Sequence, residues 1–212
     1  VSGGLHGVGA SVVNALSEVC EVEVFQNGKI HFQAFSRGES LGDLETQGST
    51  ERTGTKVFFK PDRQIFGDVE FDASTLGGRF TELAFLNKGV NIRVVDERPE
   101  PPVEEKYYFE GGITEFVQHL NEARNPLHPD VIYVEKQEEG VSVEIAAQFH
   151  DGYQENVQSF ANNIRTIEGG THVSGFRSAL SSALGAYART KNLFKNTEKP
   201  NSEDFREGLT CG

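Results

Sequence analysis

Val1-Ser2-Gly3-Gly4-Leu5-His6-Gly7-Val8-Gly9-Ala10 is followed directly by Ser11-Val12-Val13-Asn14-Ala15-Leu16-Ser17. Gly4, Gly7 and Gly9 form a G-x-x-G-x-G loop. Val8, Val12, Leu16 and Val19 recur at helical spacing, which predicts a helix from about Gly9 to Glu18. Glycines without Cβ atoms let a backbone turn its N–H groups toward a ligand. The helix behind them offers unpaired N–H donors and about half a positive charge, so loop and helix together suit an anion such as phosphate. A dinucleotide fold uses the reverse order, G-x-G-x-x-G, and a P-loop needs Gly-Lys-Ser/Thr, which is absent. Both of those common nucleotide sites are excluded. The spacing alone does not decide between a phosphate loop and a plain turn before a helix.

Outward from the loop, Val22, Val24 and Gln26 alternate into Asn27-Gly28, and Ile30, Phe32 and Ala34 alternate out again. Asn-Gly between alternating runs predicts a hairpin with a type I′ turn. Leu41 to Thr53, polar and rich in Gly, Thr and Glu, reads as a loop, and Gly54 to Lys60 as a strand ended by Pro61. Leu76, Phe80, Leu83 and Ala84 mark a helix that Asp72 or Ser74 caps and Gly89 stops. Asn91 to Asp96 is a strand. The Pro-rich run from Arg98 to Glu105 is a break, with the domain boundary just after it near Glu110. A helix over Gly112 to Glu122, strands over Val131 to Lys136 and Val141 to Phe149, a strand over Asn156 to Asn162, and a long helix over His172 to Thr190 follow. The apolar stripe of that last helix is Val173, Phe176, Leu180, Leu184 and Tyr187. The class is α+β, two helix-on-sheet layers in sequence.

Composition narrows the function. The 212 residues carry a formal charge of −12, with 36% hydrophobic residues, 16 Phe and no Met or Trp. A chain without Met that starts inside a glycine run is expected to be an internal piece of a longer protein. No run approaches the ~20 apolar residues of a membrane helix. Cys20 and Cys211 form no CxxC, and the six histidines (His6, His31, His119, His128, His150, His172) show no metal-binding spacing. Neither a disulfide scaffold nor a metal site is expected. An acidic chain argues against nucleic-acid binding over the whole surface. The charge is uneven, however. Between Ala161 and Lys195 lie Arg165, Arg177, Arg189, Lys191 and Lys195 against Glu168 alone, a local +4 that leaves −16 elsewhere.

The run Val1 to Ser17 closely resembles the ATP-lid segment in the ATPase subunits of bacterial type II topoisomerases, of gyrase B type. Gly54-Thr55-Lys56-Val57 with Phe59 and Pro61-Asp62 resembles that family's strand beneath the adenine pocket, and Glu82 to Gly89 its next helix. Tyr108 to Ile113, Asp151 to Asn156, Gly169 to His172 with Gly175-Phe176-Arg177, and Arg206 to Thr210 resemble its second, transducer domain. The similarity is collinear over nearly the whole chain.

The resemblance implies a Bergerat-type (GHKL) fold. Residues 1–110 would be the C-terminal part of the ATP-binding domain, and residues 111–212 a transducer with a small sheet and a long helix, incomplete at its C-terminal end. Gly4, Leu5, His6, Gly7, Val8, Gly9 and Ala10 would wrap the phosphates of ATP, His6 mainly by shaping the loop, and Thr55 would join the polar network that reads adenine. The general-base Glu, the Asn that holds Mg²⁺ and an Asp that binds adenine would lie upstream of Val1, and a γ-phosphate Lys downstream of Gly212. No catalytic residue or metal ligand is therefore expected in the chain, and by itself it should not turn over ATP. ATP binding would close two subunits into a clamp around double-stranded DNA, alongside a gyrase A-type DNA-cleaving subunit, in the cytoplasm and without membrane contact. Arg177 and Arg189 are candidates to line the clamp toward DNA. Many relatives carry Arg at the mouth of the adenine pocket where Phe32 stands here. The alternatives are a topoisomerase IV ATPase subunit and a non-catalytic nucleotide- or protein-binding module.

Overall fold

The computed structural model describes residues 8–194 and 200–212, in two compact units, Val1–Asp72 and Ala73–Gly212. The units divide earlier than the boundary expected near Glu110, because the helix that opens the second unit packs on elements that follow it.

In the first unit helix α1 spans Gly9–Ala15 and the strands are β1 Ser17–Gln26, β2 Lys29–Ser36, β3 Glu39–Ser40, β4 Glu45–Ser49 and β5 Gly54–Pro61, with a short helix α2 at Arg63–Phe66. The helix stops three residues short of Glu18. Ser17 turns its hydroxyl back onto the Val13 carbonyl at 2.6 Å and starts the strand that pairs antiparallel with β2 and β5. Sheet order is β3-β2-β1-β5, with β4 also on β2. The predicted hairpin is present: Asn27 and Gly28 both have positive φ, 54° and 76°, as a type I′ turn requires. The expected loop over Leu41 to Thr53 instead contains β4, paired with β2 from Lys29↔Ser49 to Phe32↔Glu45. Every residue of β4 is exposed. It is held by main-chain pairing at a sheet edge, so its sequence has no buried face to reveal it.

The second unit holds α3 Ala73–Leu86, β6 Ile92–Asp96, β7 Val103–Tyr107, α4 Ile113–Leu120, β8 Ile132–Glu138, β9 Val141–Phe149, β10 Asn156–Val157, β11 Phe160–Ala161, β12 Ile164–Arg165, α5 Thr171–Thr190, a 3-10 turn at Asp204–Arg206 and β13 Leu209–Cys211. With α3 starting at Ala73, Asp72 stands at the capping position and Ser74 lies inside the first turn. Three expectations are corrected. The Pro-rich break ends at Val103, where β7 begins and pairs with β6; its first four residues are exposed, so alternation is absent. The single strand over Asn156 to Asn162 is two short pieces. Val157 pairs with Cys211 of β13, with Gln158 N–H donating to the Cys211 carbonyl at 2.8 Å, and Asn162-Asn163, at φ 50° and 64°, reverse the chain into β12. The stripe of α5 holds at Val173, Phe176, Leu180 and Leu184 but not at Tyr187, which is 58% exposed; Ser181, Gly185 and Ala188 are buried beside it. Small residues are needed there because Ser181 donates to the Ser202 carbonyl and Phe205 packs beside Gly185.

The core of this unit lies on both faces of the sheet β10-β13-β9-β8. Ile113 and Val117 of α4 pack on Ala146. On the other face Ala147, Leu209 and Cys211 meet Phe176 and Leu180 of α5. Phe85 stacks on Phe109 with ring centroids 3.6 Å apart and leans on Phe116 at 5.2 Å. A buried polar chain ties these layers. Thr210 donates to Asn121 at 2.6 Å, Asn121 to Gln148 at 2.9 Å, and Gln148 to the His128 carbonyl at 3.0 Å. His150, also buried, has its ring nitrogens against Gly152 N–H and Arg124. Burial and then the Arg124 charge hold its imidazole below the ordinary histidine range.

Gly208 makes the tightest turn into β13. Its φ is +70°, and a Cβ there would fall 2.3 Å from the His150 carbonyl oxygen and 2.6 Å from that of Gly152. Gly208→Ala is expected to cost on the order of 2–4 kcal/mol, measured as a loss in denaturant or thermal stability. Gly140→Ala, with a similar φ but open space around it, serves as the control and should cost about 1 kcal/mol.

Candidate functional site

Of the lid residues, Gly4, Leu5, His6 and Gly7 lie outside the described residues. Val8 occupies the N-cap of α1, and Gly9 and Ala10 form its first turn. No side chain caps this end, and the first turn contains no acid. Val8 and Val12 are about half exposed, and a Cβ on Gly9 would meet nothing within 4 Å.

The base of this helix is fixed by a buried carboxylate. Asp62, 1% exposed, accepts from Arg37 Nε at 2.5 Å and Nη2 at 3.3 Å, and from Gln64 N–H at 2.9 Å as the cap of α2. Its own N–H donates to the Leu16 carbonyl, and Arg37 N–H donates to that of Ser17. One pair therefore joins the end of α1, the turn after β2 and the end of β5. The Arg37 hydrogen bond, followed by that of Gln64, holds the Asp62 carboxyl below the usual carboxylate range. The sequence hides this contact, since its partners are 25 residues apart; Asp62 before Arg63-Gln64 shows at most a cap.

Thr55 sits on β5 opposite Val24 of β1, which is opposite His31 of β2. Those three share one face, together with Val22 and Val57. Phe32 pairs with Glu23, which pairs with Lys56, so it lies on the other face. The Lys56–Glu23 ion pair at 2.8 Å marks that second face as charged. The register thus puts Thr55 and Phe32 on opposite faces of the sheet.

The basic stretch is not one cationic surface. Arg177 Nε is 2.9 Å from Glu155, which Arg206 also approaches at 3.2 Å. Arg165 is paired with Glu82 at 3.3 Å. Arg189 and Lys191 are exposed, Lys191 over the Tyr187 ring at 5.9 Å. Acids outside the stretch neutralise two of its arginines, which counting charge along the sequence could not show. Among the described residues no group of three His, Cys, Asp or Glu side chains is placed to hold a metal, and no helix is long and apolar enough to cross a membrane.

A DNA gyrase B family model matches residues 112–212. The DNA gyrase B protein of Halalkalibacterium halodurans is 55% identical over the whole of this chain, and that of Clostridium acetobutylicum 51%. Residues 112–212 belong to the DNA gyrase B family, and the similarity to gyrase B proteins runs the whole length of the chain. It spans about a third of the length of these two relatives, 33% in each case. The solved 43K ATPase domain of Thermus thermophilus gyrase B, in complex with an aminocoumarin, superposes with a TM-score of 0.83 at 40% identity, over 97% of this chain and 57% of that one. A topoisomerase IV ATP-binding domain from Francisella tularensis shares the fold at TM-score 0.76 and 24% identity, over 100% of this chain and 58% of that one. The α+β architecture is thus that of the GHKL ATPase domains of gyrase B.

Asp62 has a depressed pKa in the folded state, so its contribution is present above the ordinary carboxylate value of 3.8 and is lost as pH falls through the folded value. Asp62→Asn should melt at lower temperature than the parent chain at pH 7, and the gap should close as the pH drops below about 4. A gap that persists unchanged at pH 3 would contradict this assignment.

Proposed function

We propose that this chain belongs to the ATP-hydrolysing subunit of a type II DNA topoisomerase of gyrase type, in which nucleotide binding closes a two-subunit clamp and drives strand passage with negative supercoiling. The observation that carries the reading is the 55% identity to a gyrase B along the entire chain. The 24% identity to a topoisomerase IV domain supports the fold alone, so gyrase is the preferred member of the two.

In this reading residues 1–110 belong to the nucleotide domain and residues 111–212 to the transducer, and the family model begins at 112. Gly4 to Ala10 wrap the ATP phosphates with backbone N–H groups, and Thr55 serves the adenine end. The uncapped first turn of α1 and the open space at Gly9 are compatible with an anion there. Mg²⁺ when bound supplies charge neutralisation to the phosphates. The described residues offer no ligand set for it, and we place its Asn ligand and the general-base Glu before Val1, and the γ-phosphate Lys after Gly212. What this chain contributes is phosphate binding, orientation and exclusion of water by the lid. Its partners are a gyrase A-type subunit, double-stranded DNA and a second copy of the ATPase subunit, and its setting is the cytoplasm. Arg189 is the better DNA candidate of the two, because Arg177 already has a carboxylate partner.

Gly9→Val tests the lid. A side chain at this position meets open space, so melting temperature should hold while ATP hydrolysis by the full-length protein falls about 100-fold, the scale of losing a group that stabilises developing charge. Unchanged hydrolysis would remove the phosphate role from α1. The 212-residue chain alone should show no saturable ATP hydrolysis, and activity surviving Gly9→Val in that chain would contradict the placement of the base outside it.

A further inference from the structure

Helix α3 and the small β11–β12 hairpin are joined by side chains that the proposed function leaves without a role. Glu82 of α3 accepts from Arg79 Nη1 at 2.7 Å and from Arg165 Nη1 at 3.3 Å. Arg79 Nη2 reaches the Asn163 carbonyl at 3.3 Å. Asn163 Nδ2 donates to Asn87 Oδ1 at 2.9 Å, and Asn87 is itself fixed by donating to the Leu83 carbonyl at 2.7 Å. The contacts between helix and hairpin join residues 76 to 84 positions apart. They are aimed by the hairpin turn, whose Asn162 and Asn163 both hold left-handed backbone, a conformation Asn tolerates better than most residues.

The hairpin has little else to hold it. Each strand is two residues long, Ala161 and Arg165 are exposed, and only Phe160 reaches an aromatic neighbour, Phe116, at 6.2 Å. A two-stranded ribbon of this size has no stability of its own. The polar clasp on α3 helps set its orientation, together with the Phe160–Phe116 contact and the Arg165–Gln158 hydrogen bond. On its far side the hairpin leads directly to α5. Thr166, the residue after β12, pairs with Ser159 through backbone and hydroxyl, and its Oγ1 lies 3.1 Å from Nε2 of His172 in the first turn of α5. The α3 contacts to Asn163 and Arg165 and the Thr166–His172 contact at the start of α5 are thus joined through the backbone of the hairpin.

We infer that Arg79, Glu82 and Asn87 with Asn163 and Arg165 form the joint that passes the position of α3 to α5, and so couples the nucleotide domain to the transducer. The inference rests on the proposed function, which assigns α3 to the first of these domains and α5 to the second. Charged and amide contacts suit a joint because they have discrete partners and small net energies, and here they lie beside the Phe85–Phe116 packing of α3 on α4. The five are positioning residues; none belongs to the phosphate loop.

The test uses the full-length protein reconstituted with its DNA-cleaving partner, carrying Asn163→Gly or Glu82→Gln. Glycine keeps the left-handed turn and removes only the amide. For both variants kcat of DNA-stimulated ATP hydrolysis should fall about fivefold or more, the usual lower size of a coupling effect. KM for ATP and affinity for a non-hydrolysable ATP analogue should stay within about twofold of the parent. Unchanged kcat in both variants overturns the joint. A loss that instead tracks a lowered melting temperature and weaker analogue binding overturns it too, since that is a role in folding alone. If the parent protein hydrolyses no ATP, the proposed function itself fails, an outcome distinct from both.

Discussion

Asp62 is the constraint on which the first unit depends. A carboxylate at 1% exposure needs partners that satisfy its oxygens. It finds them in Arg37 and in an N–H of the first turn of α2. In meeting that need it draws three chain segments together: the exit of α1, the turn after β2 and the end of β5. The rest of this unit is thinly covered, with Val57, Phe58 and Phe59 of β5 each 41–54% exposed. A fixed ionic contact sets where the helix behind the glycine loop ends. The energetic weight of such a pair lies chiefly in what its loss leaves behind, an uncompensated buried charge.

The second unit is organised by packing on both faces of one sheet, with a polar chain threaded through it. β13 contributes three residues, yet Leu209 and Thr210 are fully buried. Leu209 fills the α5 side, while the Thr210 hydroxyl opens the chain to Asn121 and Gln148 on the α4 side. A short strand late in the sequence thus unites two helices that pack on opposite faces. The positive φ of Gly208 is what lets the chain enter it against the His150 carbonyl.

Much of this was legible from local pattern. The Asn27-Gly28 hairpin, the strands on either side of Glu139-Gly140, α3 with its Gly89 stop and α4 all follow from period and turn chemistry. What was not legible had a common physical cause: it is decided by partners distant in sequence. β4 and β7 are exposed edge elements whose pattern carries no burial signal. On α5 the core takes Val173, Phe176 and Leu180 as the period indicated, while Ser181 and Gly185 meet Ser202 and Phe205 and Tyr187 stays exposed. The charge of the 161–195 stretch is cancelled in part by Glu155 and Glu82. At the candidate site the glycine spacing excluded the P-loop and dinucleotide folds, and motif order pointed to the topoisomerase ATPases. Neither foresaw that β-sheet register separates Thr55 from Phe32.

The chemistry proposed for the whole protein rests on similarity to gyrase B along the whole chain. The direct test is the reaction of the full-length protein with its DNA-cleaving partner on relaxed closed-circular DNA. ATP-dependent introduction of negative supercoils is the expected result. ATP-dependent decatenation without supercoiling would contradict the gyrase reading, and no ATP-dependent change in linking number or catenation would contradict the enzyme reading altogether.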